Sequence, residues 1–188
     1  MHTSSRASSS SRRPLFFTLG LVVLLASLLG PASSAFAACT GASALPTSAS
    51  AAEGATLCLL NDERRSHGLG SLRENSALSV SSERHAEDMA RGDYFAHDSR
   101  DGRSFVDRIK AAGYVRGAAS WTVGENLAWG SGGRAAPEQI VAAWMASPGH
   151  RANILSPRFK EIGFGMASAG KGSLPARTLY ATDFGTTR

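Results

Sequence analysis

One twelve-residue stretch constrains this chain more than any other: Trp144-Met145-Ala146-Ser147-Pro148-Gly149-His150-Arg151-Ala152-Asn153-Ile154-Leu155. Its residues make opposing demands. Trp144 and the Ile154-Leu155 pair favour burial, whereas Ser147-Pro148-Gly149 favours a turn, because proline presets its own φ and glycine admits φ > 0. Ile140 and Trp144, and Val141 and Met145, are each four residues apart, so a helix runs into the stretch. The expectation is a helix end, a sharp turn, and His150 held just past it between two buried anchors. Such a histidine by itself reads as a hydrogen-bonded corner residue, and a chemical role depends on partners elsewhere.

The N-terminal segment is set apart from any fold. Arg6, Arg12 and Arg13 precede an almost wholly apolar run from Leu15 to Leu29, and Ala35-Phe36-Ala37 fits a small-x-small cleavage rule. Residues 1–37 therefore read as a secretory signal peptide rather than a membrane span, with no stable membrane insertion expected after cleavage. A lipoprotein anchor at Cys39 is the minor alternative. Against it stands Cys58, the other of two cysteines, because an even pair in an exported chain reads as a disulfide. A Cys39–Cys58 bridge closes a loop of roughly 20 residues, which in the chain-entropy model contributes about 3 kcal/mol. The formal charge of +5 includes three arginines of the signal, so 17 basic against 15 acidic residues leave +2 in the exported part. With no Lys/Arg run there, nucleic acid is excluded as a partner.

Residues 38–52 are mostly Ala, Ser, Thr, Gly and Pro and read as a flexible linker, leaving a single domain over 53–188. A helix pattern begins at Glu53, with Leu57, Leu60, Asn61 and Arg64 on one stripe, and His67-Gly68-Leu69-Gly70 ends it. Asn75 suits the N-cap of a second helix whose inward stripe is Leu78, Ser82, His85 and Met89, so His85 reads as a core histidine outside the site. Ser104 and Asp107 form a capping box for a short third helix, Phe105 to Ala112. Residues 113–123 read as irregular, and Pro137 and Glu138 suit the first turn of a fourth helix. Ile162, Phe164 and Met166 alternate with Gly163 and Gly165, which reads as a strand with one buried face, and Gly170-Lys171-Gly172 turns the chain into a returning strand from Arg177 to Phe184.

His97, Glu125 and His150 share a character. Each lies beside tight-turn residues and an aromatic, Phe95, Trp129 and Trp144 respectively, and they are 28 and 25 residues apart. Only tertiary folding can gather them. Glu125, against Leu127 and Trp129, needs a partner if buried. Two imidazoles and a carboxylate suit either a divalent cation such as zinc or acid/base work.

Leu60-Asn61-x-x-Arg64, Tyr94-Phe95-Ala96-His97, Gly124-Glu125-Asn126-Leu127-Ala128, Trp144-x-x-Ser147-Pro148-Gly149-His150-Arg151-x-Asn153-Ile154-Leu155, Glu161-Ile162-Gly163-x-Gly165 and Asp183-Phe184-Gly185 together resemble, in that order, the bacterial branch of the CAP superfamily. This is the group of cysteine-rich secretory proteins, antigen 5 and pathogenesis-related proteins, also called SCP domains. The resemblance runs from about Glu53 to Phe184. It implies an α+β fold, an α-β-α sandwich with a small antiparallel sheet flanked by helices, and a cleft in which His97, Glu125 and His150 match three residues of a family tetrad. The fourth, a glutamate in many members, is implied near the end of the helix carrying Trp144, where this chain has Ser147. With one carboxylate fewer, a cation at His97, His150 and Glu125 is expected to bind weakly, and better as pH rises through the histidine range.

Three classes of function follow. The first is a secreted module whose His/Glu-lined cleft binds a small molecule, lipid, peptide or envelope component. It is favoured by the absence of Gly-x-Ser-x-Gly and by cysteines expected to be oxidised. The alternative is a metal-assisted, peptidase-like hydrolase using the same cleft. The third is a structural protein whose polar cluster only braces the sandwich. The first two require the three side chains to converge, within about one water-bridged contact, on a solvent-reachable surface.

Overall fold

The computed structural model describes residues 39–170 and 176–188. The expected signal peptide, residues 1–37, and the Lys171-Gly172 turn lie outside them. Helix α1 spans Ala49–Ser66, strand β1 Arg73–Glu74, α2 Ser76–Gly92, α3 Phe105–Ala111, β2 Trp121–Gly130, α4 Pro137–Ala146, α5 Pro148–Ile154, β3 Glu161–Ala169 and β4 Arg177–Thr187. The strand order is β1-β3-β4-β2. The three long strands are antiparallel, and the two-residue β1 joins β3 in parallel, so the sheet is mixed at that one edge. Helices α1 and α4 cover one face and α2 the other, giving the expected α-β-α sandwich.

The local signals act largely as physics requires. Asn75 accepts from the Ala77 and Leu78 amides at the start of α2, and Ser104 and Asp107 complete a reciprocal capping box at α3. At the end of α1, Gly68 takes φ +70° while Leu69 N–H donates to the Arg64 carbonyl and Gly68 N–H to that of Arg65, a Schellman ending. Arg64 itself is fully buried. Its guanidinium donates to the carbonyls of Gly70, Ile154, Ser156 and Phe159 at 2.7–3.2 Å, tying α1 to the segment between α5 and β3.

Four expectations need correction. The linker ends at residue 48 rather than 52: Ser48 caps α1, and Ala52 is already in the core, because an alanine-rich run after a serine cap propagates helix as readily as it forms loop. Residues 121–123 belong to β2, not to an irregular segment. Ser147-Pro148-Gly149 is not a turn with a left-handed glycine. Ser147 joins two helices, Pro148 opens α5 at its first turn, and His150 is helical. Finally, β3 is buried on both faces, Gly163 and Gly165 included. A Cβ on Gly163 would lie 2.0 Å from the Leu78 carbonyl carbon, and one on Gly165 2.3 Å from that of Ser82, so the alternating glycines are where the α2 backbone rests on the sheet.

Cys39 and Cys58 form a disulfide with a Cα–Cα distance of 5.7 Å, which leaves no thiol at Cys39 for lipid attachment. The bridge and a hydrogen bond from Glu138 N–H to the Ala42 carbonyl hold residues 39–48 against α1 and α4.

Candidate functional site

Glu125 sits in β2, an edge strand, directly opposite Asp183 of β4 in the ladder. Its carboxylate is fully buried and doubly bonded. His97 Nδ1 donates to Oε1 at 2.7 Å and Arg108 Nη2 to Oε2 at 2.5 Å. This satisfies the demand that a buried charge be paired. The Nδ1 proton leaves Nε2 as the imidazole's outward atom, and the His97 side chain is 54% exposed against 0% for Glu125. The hydrogen bond to Glu125 raises the His97 pKa above that of an ordinary histidine, against the opposing effect of burial.

Arg108, on α3, was not singled out from the sequence. Besides Glu125 it holds the His97 carbonyl at 2.8 Å, Ser99 Oγ at 3.2 Å and the Arg103 carbonyl at 3.3 Å. It therefore positions both the carboxylate and the loop that presents His97. The usable signal was the requirement that Glu125 have a partner, but nothing in a seven-residue helix identifies which cation. His97 and Arg108 are the two cationic groups bonded to this carboxylate. Among the described residues Ser147 makes no side-chain hydrogen bond to it.

Asp183 is the second group that sequence reasoning left without a role. It is fully buried, and neither carboxyl oxygen has a hydrogen-bond partner among the described residues. Burial, then the charge of Glu125, pushes its pKa up to about 8, against weaker opposing effects of the nearby Ser81 and Ser82 hydroxyls and of Arg108. Burial beside the Glu125 carboxylate thus favours the protonated form of Asp183.

His150 is tied to the same strand through its backbone carbonyl. Asn126 Nδ2 donates to the His150 carbonyl at 3.1 Å, and Asn153 Nδ2 donates to the Glu125 carbonyl at 3.1 Å and to Asn126 Oδ1 at 2.9 Å. Trp144 Nε1 donates to the Leu127 carbonyl at 3.0 Å. Together α4 and α5 cap the outward carbonyls of an edge strand that would otherwise be open to pairing. Burial, then the charge of His97, lowers the His150 pKa, so the rings are within electrostatic reach. Among the described residues the His150 ring makes no hydrogen bond to His97 or Glu125. His97 and Glu125 are joined directly, whereas the His150 bond to this region runs from the Asn126 side chain to its backbone carbonyl.

The expected aromatic anchors hold only in part. Trp144 is buried, but Phe95 is 42% and Trp129 52% exposed. The ladder with β4 fixes the backbone of Glu125, and Arg108 that of His97. His85 is a core histidine as expected, its Nε2 on the Ala96 carbonyl at 2.9 Å. A cavity of about 220 Å³ between α2 and α3 reaches the cluster through Arg108 rather than through the histidines, and an open groove of about 690 Å³ lies beside α5, along Met145, Arg151 and Leu155.

The donor set does not fit a divalent cation as it stands. Both Glu125 oxygens carry donated protons, a guanidinium stands at one of them, and His97 offers only Nε2. Among the described residues, the one group of potential ligand atoms gathered closely is Cys39, Cys58 and Asp62, and its sulfurs are joined as the disulfide.

Comparison with known proteins agrees with this architecture. The structure is similar to that of an outer surface protein from Borrelia burgdorferi (TM-score 0.59, 18% identity, covering 73% of this chain and 93% of that one). It is also similar to an extracellular protein containing a SCP domain from Bacillus anthracis (TM-score 0.54, 24% identity, 74% and 44%). In sequence it is 40% identical over 125 residues to the uncharacterized protein YkwD of Bacillus subtilis, and 33% identical over 111 residues to the uncharacterized membrane protein YlbC of the same organism. These alignments span 46% and 30% of those proteins' own lengths. Residues 57–182 match the profile of the cysteine-rich secretory protein (CAP) family, a span that takes in the second half of α1, strands β1 to β3, the first half of β4 and the His97–Glu125–Arg108 cluster. The chain belongs to the CAP family.

Proposed function

We propose that this chain works outside the cytoplasm as a binding module that recognises a polar ligand group at the His97–Glu125–Arg108 cluster. One observation carries the reading: a buried carboxylate bonded on both oxygens, with a single half-exposed imidazole as its outlet. That arrangement is preorganised to present one polar atom and is poor in reactive ones. Both Glu125 oxygens are engaged and the side chain is fully buried, and no serine or cysteine side chain hydrogen-bonds to His97 among the described residues. His97, whose cationic form the hydrogen bond to Glu125 favours, suits a carboxylate, phosphate or carbonyl acceptor. His150, whose neutral form burial favours, can accept or donate beside it. The disulfide and the N-terminal signal-like segment support an extracytoplasmic setting, and among the described residues no helix is long and apolar enough to cross a membrane.

The test uses the disulfide-bonded protein and its His97→Ala variant against immobilised cell-wall glycan, anionic phospholipid vesicles and a peptide library. One class should be retained by the wild type and weakened at least about tenfold in the variant, the equivalent of one charge-assisted hydrogen bond, with an unchanged melting temperature. Equal retention overturns the reading. Chelator-sensitive release of products from the glycan or the peptides replaces it with the metal-assisted hydrolase. Zinc titration at pH 6 and pH 8 bears on that alternative: any binding should be weak and tighter at pH 8, since imidazole must be neutral to ligate.

A further inference from the structure

Where β2 begins and β4 closes, the sheet ends in a groove that the His97–Glu125–Arg108 cluster does not touch. Phe159 shapes one wall of it. Its ring is buried and stacked on Phe184 at 5.5 Å, and the side chains on either side of it, Arg158 and Lys160, are exposed. This wall is tied down along its length. Arg64 holds the Ser156 and Phe159 carbonyls at 3.0 and 3.2 Å, and Lys160 N–H donates to the Gly185 carbonyl at 3.0 Å. Opposite, Trp121 and Thr122 pair with Thr187 and Thr186 in the ladder, and Arg188 N–H donates to the Ser120 carbonyl at 3.0 Å. The groove between is open, with a volume of about 530 Å³, and a frame held this way costs little further ordering when a ligand arrives.

Its chemistry is one-sided. Arg158, Lys160 and Arg188 line it, and no aspartate or glutamate side chain does. None of these three cations makes a side-chain ion pair among the described residues. Trp121 is the aromatic residue of the lining and is 39% exposed. Lys110 of α3 lies over its ring, 5.3 Å from the centroid, which adds positive charge beside the indole. Hydroxyls of Thr122, Thr186 and Thr187 supply most of the remaining polar lining. An acyl chain needs a mostly apolar pocket, which this is not. Single-stranded nucleic acid stacks successive bases on several rings, and one ring is present here. An acidic peptide would meet the cations but leave the indole without a specific partner. A sugar ring has an apolar C–H face for the indole and hydroxyls for the threonines, and an acidic substituent on it answers the cations.

We propose that this groove binds an acidic saccharide chain, a glycan carrying carboxylate or phosphate groups. Trp121 packs against a sugar ring, Arg158 and Lys160 hold the acidic group, and the threonines meet the sugar hydroxyls. Carboxylate and phosphate both match the fork of a guanidinium. The site shares no residue with the function proposed above and does not rest on it.

Calorimetric titration of the disulfide-bonded protein at matched ionic strength tests it with two acidic saccharides, oligogalacturonate and a phosphorylated mannan oligosaccharide. The controls are a neutral maltooligosaccharide and oligoglutamate, which carries the charge without the sugar. One or both acidic saccharides should bind saturably and at least about tenfold more tightly than either control, and which of them does identifies the acid. Arg158→Gln and Lys160→Gln together, at exposed positions, should weaken that binding at least about tenfold. Trp121→Ala should weaken it about fivefold, the worth of one aromatic contact, and Trp121→Phe less. His97→Ala should leave it unchanged, which separates this site from the cluster. If Trp121→Ala does not fold, the double variant and the oligoglutamate comparison decide. Oligoglutamate bound as tightly as the saccharides (a bare charge patch), binding indifferent to the double variant, loss of binding in His97→Ala, or no binding of either acidic saccharide would each overturn the proposal. Tighter binding of oligothymidylate or of phosphatidylglycerol vesicles at the same residues would overturn it in favour of nucleic acid or membrane.

Discussion

The face of the sheet beneath α1 and α4 and the face beneath α2 are both buried, yet they are filled differently. On the first, Ile162, Phe164, Tyr180 and Phe184 meet Leu60, Ile140 and Trp144 in one apolar cluster, with Phe159 stacked on Phe184 at 5.5 Å and Phe164 edge-on to Tyr180 at 5.7 Å. On the second, the sheet offers glycine, alanine and acid. The α2 backbone comes down onto Gly163 and Gly165, Ser79 and Ser82 hydroxyls accept from the Phe164 and Asp183 amides, and Glu125 and Asp183 lie side by side. Large side chains keep a helix at a distance and give transfer energy and dispersion. Small ones let it approach until hydroxyls and carboxyls are dehydrated with few partners, which is where proton affinities shift. One face supplies stability and the other holds the unusual chemistry.

The largest test of that division is Trp144→Ala. Removing a fully buried indole should cost about 3–5 kcal/mol, increased by the loss of its donor to the Leu127 carbonyl. Denaturant titration would read this as a large fall in midpoint at nearly constant slope. A loss below about 1 kcal/mol, the size of an average point substitution, would mean the apolar face is not the principal source of stability.

Gly163→Ala asks whether the other face is as closely packed as its geometry says. The added Cβ meets helix backbone at 2.0 Å, which cannot swing aside as a side chain can, so a loss of about 1–3 kcal/mol is expected from one methyl group. Gly54→Ala is the control: nothing lies within 4 Å of its new Cβ, and in the interior of α1 it should stabilise by about 0.5–1 kcal/mol. Opposite signs sharpen the comparison, and a neutral Gly163→Ala breaks it.

Asp183→Asn should stabilise the protein at pH 8 and change little at pH 4. The folded carboxyl, held near pH 8 by burial and by Glu125, keeps a proton that the unfolded chain releases above about pH 4. Stability therefore falls as pH rises through that window, and the asparagine removes the slope. Glu53, pushed up to about 7 by burial and by the charge and hydrogen bond of Glu74, contributes a slope of the same sign that remains in the variant. Melting temperature against pH for both proteins measures the difference. Parallel curves would mean Asp183 titrates normally.

The smallest effect belongs to His97→Ala. Its ring is half exposed and Arg108 still pairs Glu125, so the stability change should stay below about 1 kcal/mol. A loss of several degrees would instead make the cluster the brace of the sandwich.

How much was legible in the sequence differed between the two faces. The apolar stripes of α1 and α4, the caps at Asn75 and Ser104, and the strand from Ile162 carry local signals of period or turn chemistry, and each lies where those signals put it. The glycines of β3 were visible, but alternation alone cannot distinguish a solvent-facing side from one where a helix backbone sits. Glu125 announced itself as an acid among apolar residues, and its need for a partner was deducible. That the partner is His97 on one oxygen and Arg108 on the other was not, because residues 97, 108 and 125 come from a loop, a helix and a strand.

The sequence by itself determined helices α1 to α4, strands β3 and β4, the disulfide pair and the family, the last through six ordered motifs. Tertiary structure decided what the polar residues do. It placed a guanidinium where a cation ligand was expected, set Asp183 against Glu125, and left His150 near His97 without a bond to it. The reason is that pairing, burial and proton affinity depend on distances between groups far apart in the chain. These exist only once α2 and α3 have closed over the sheet.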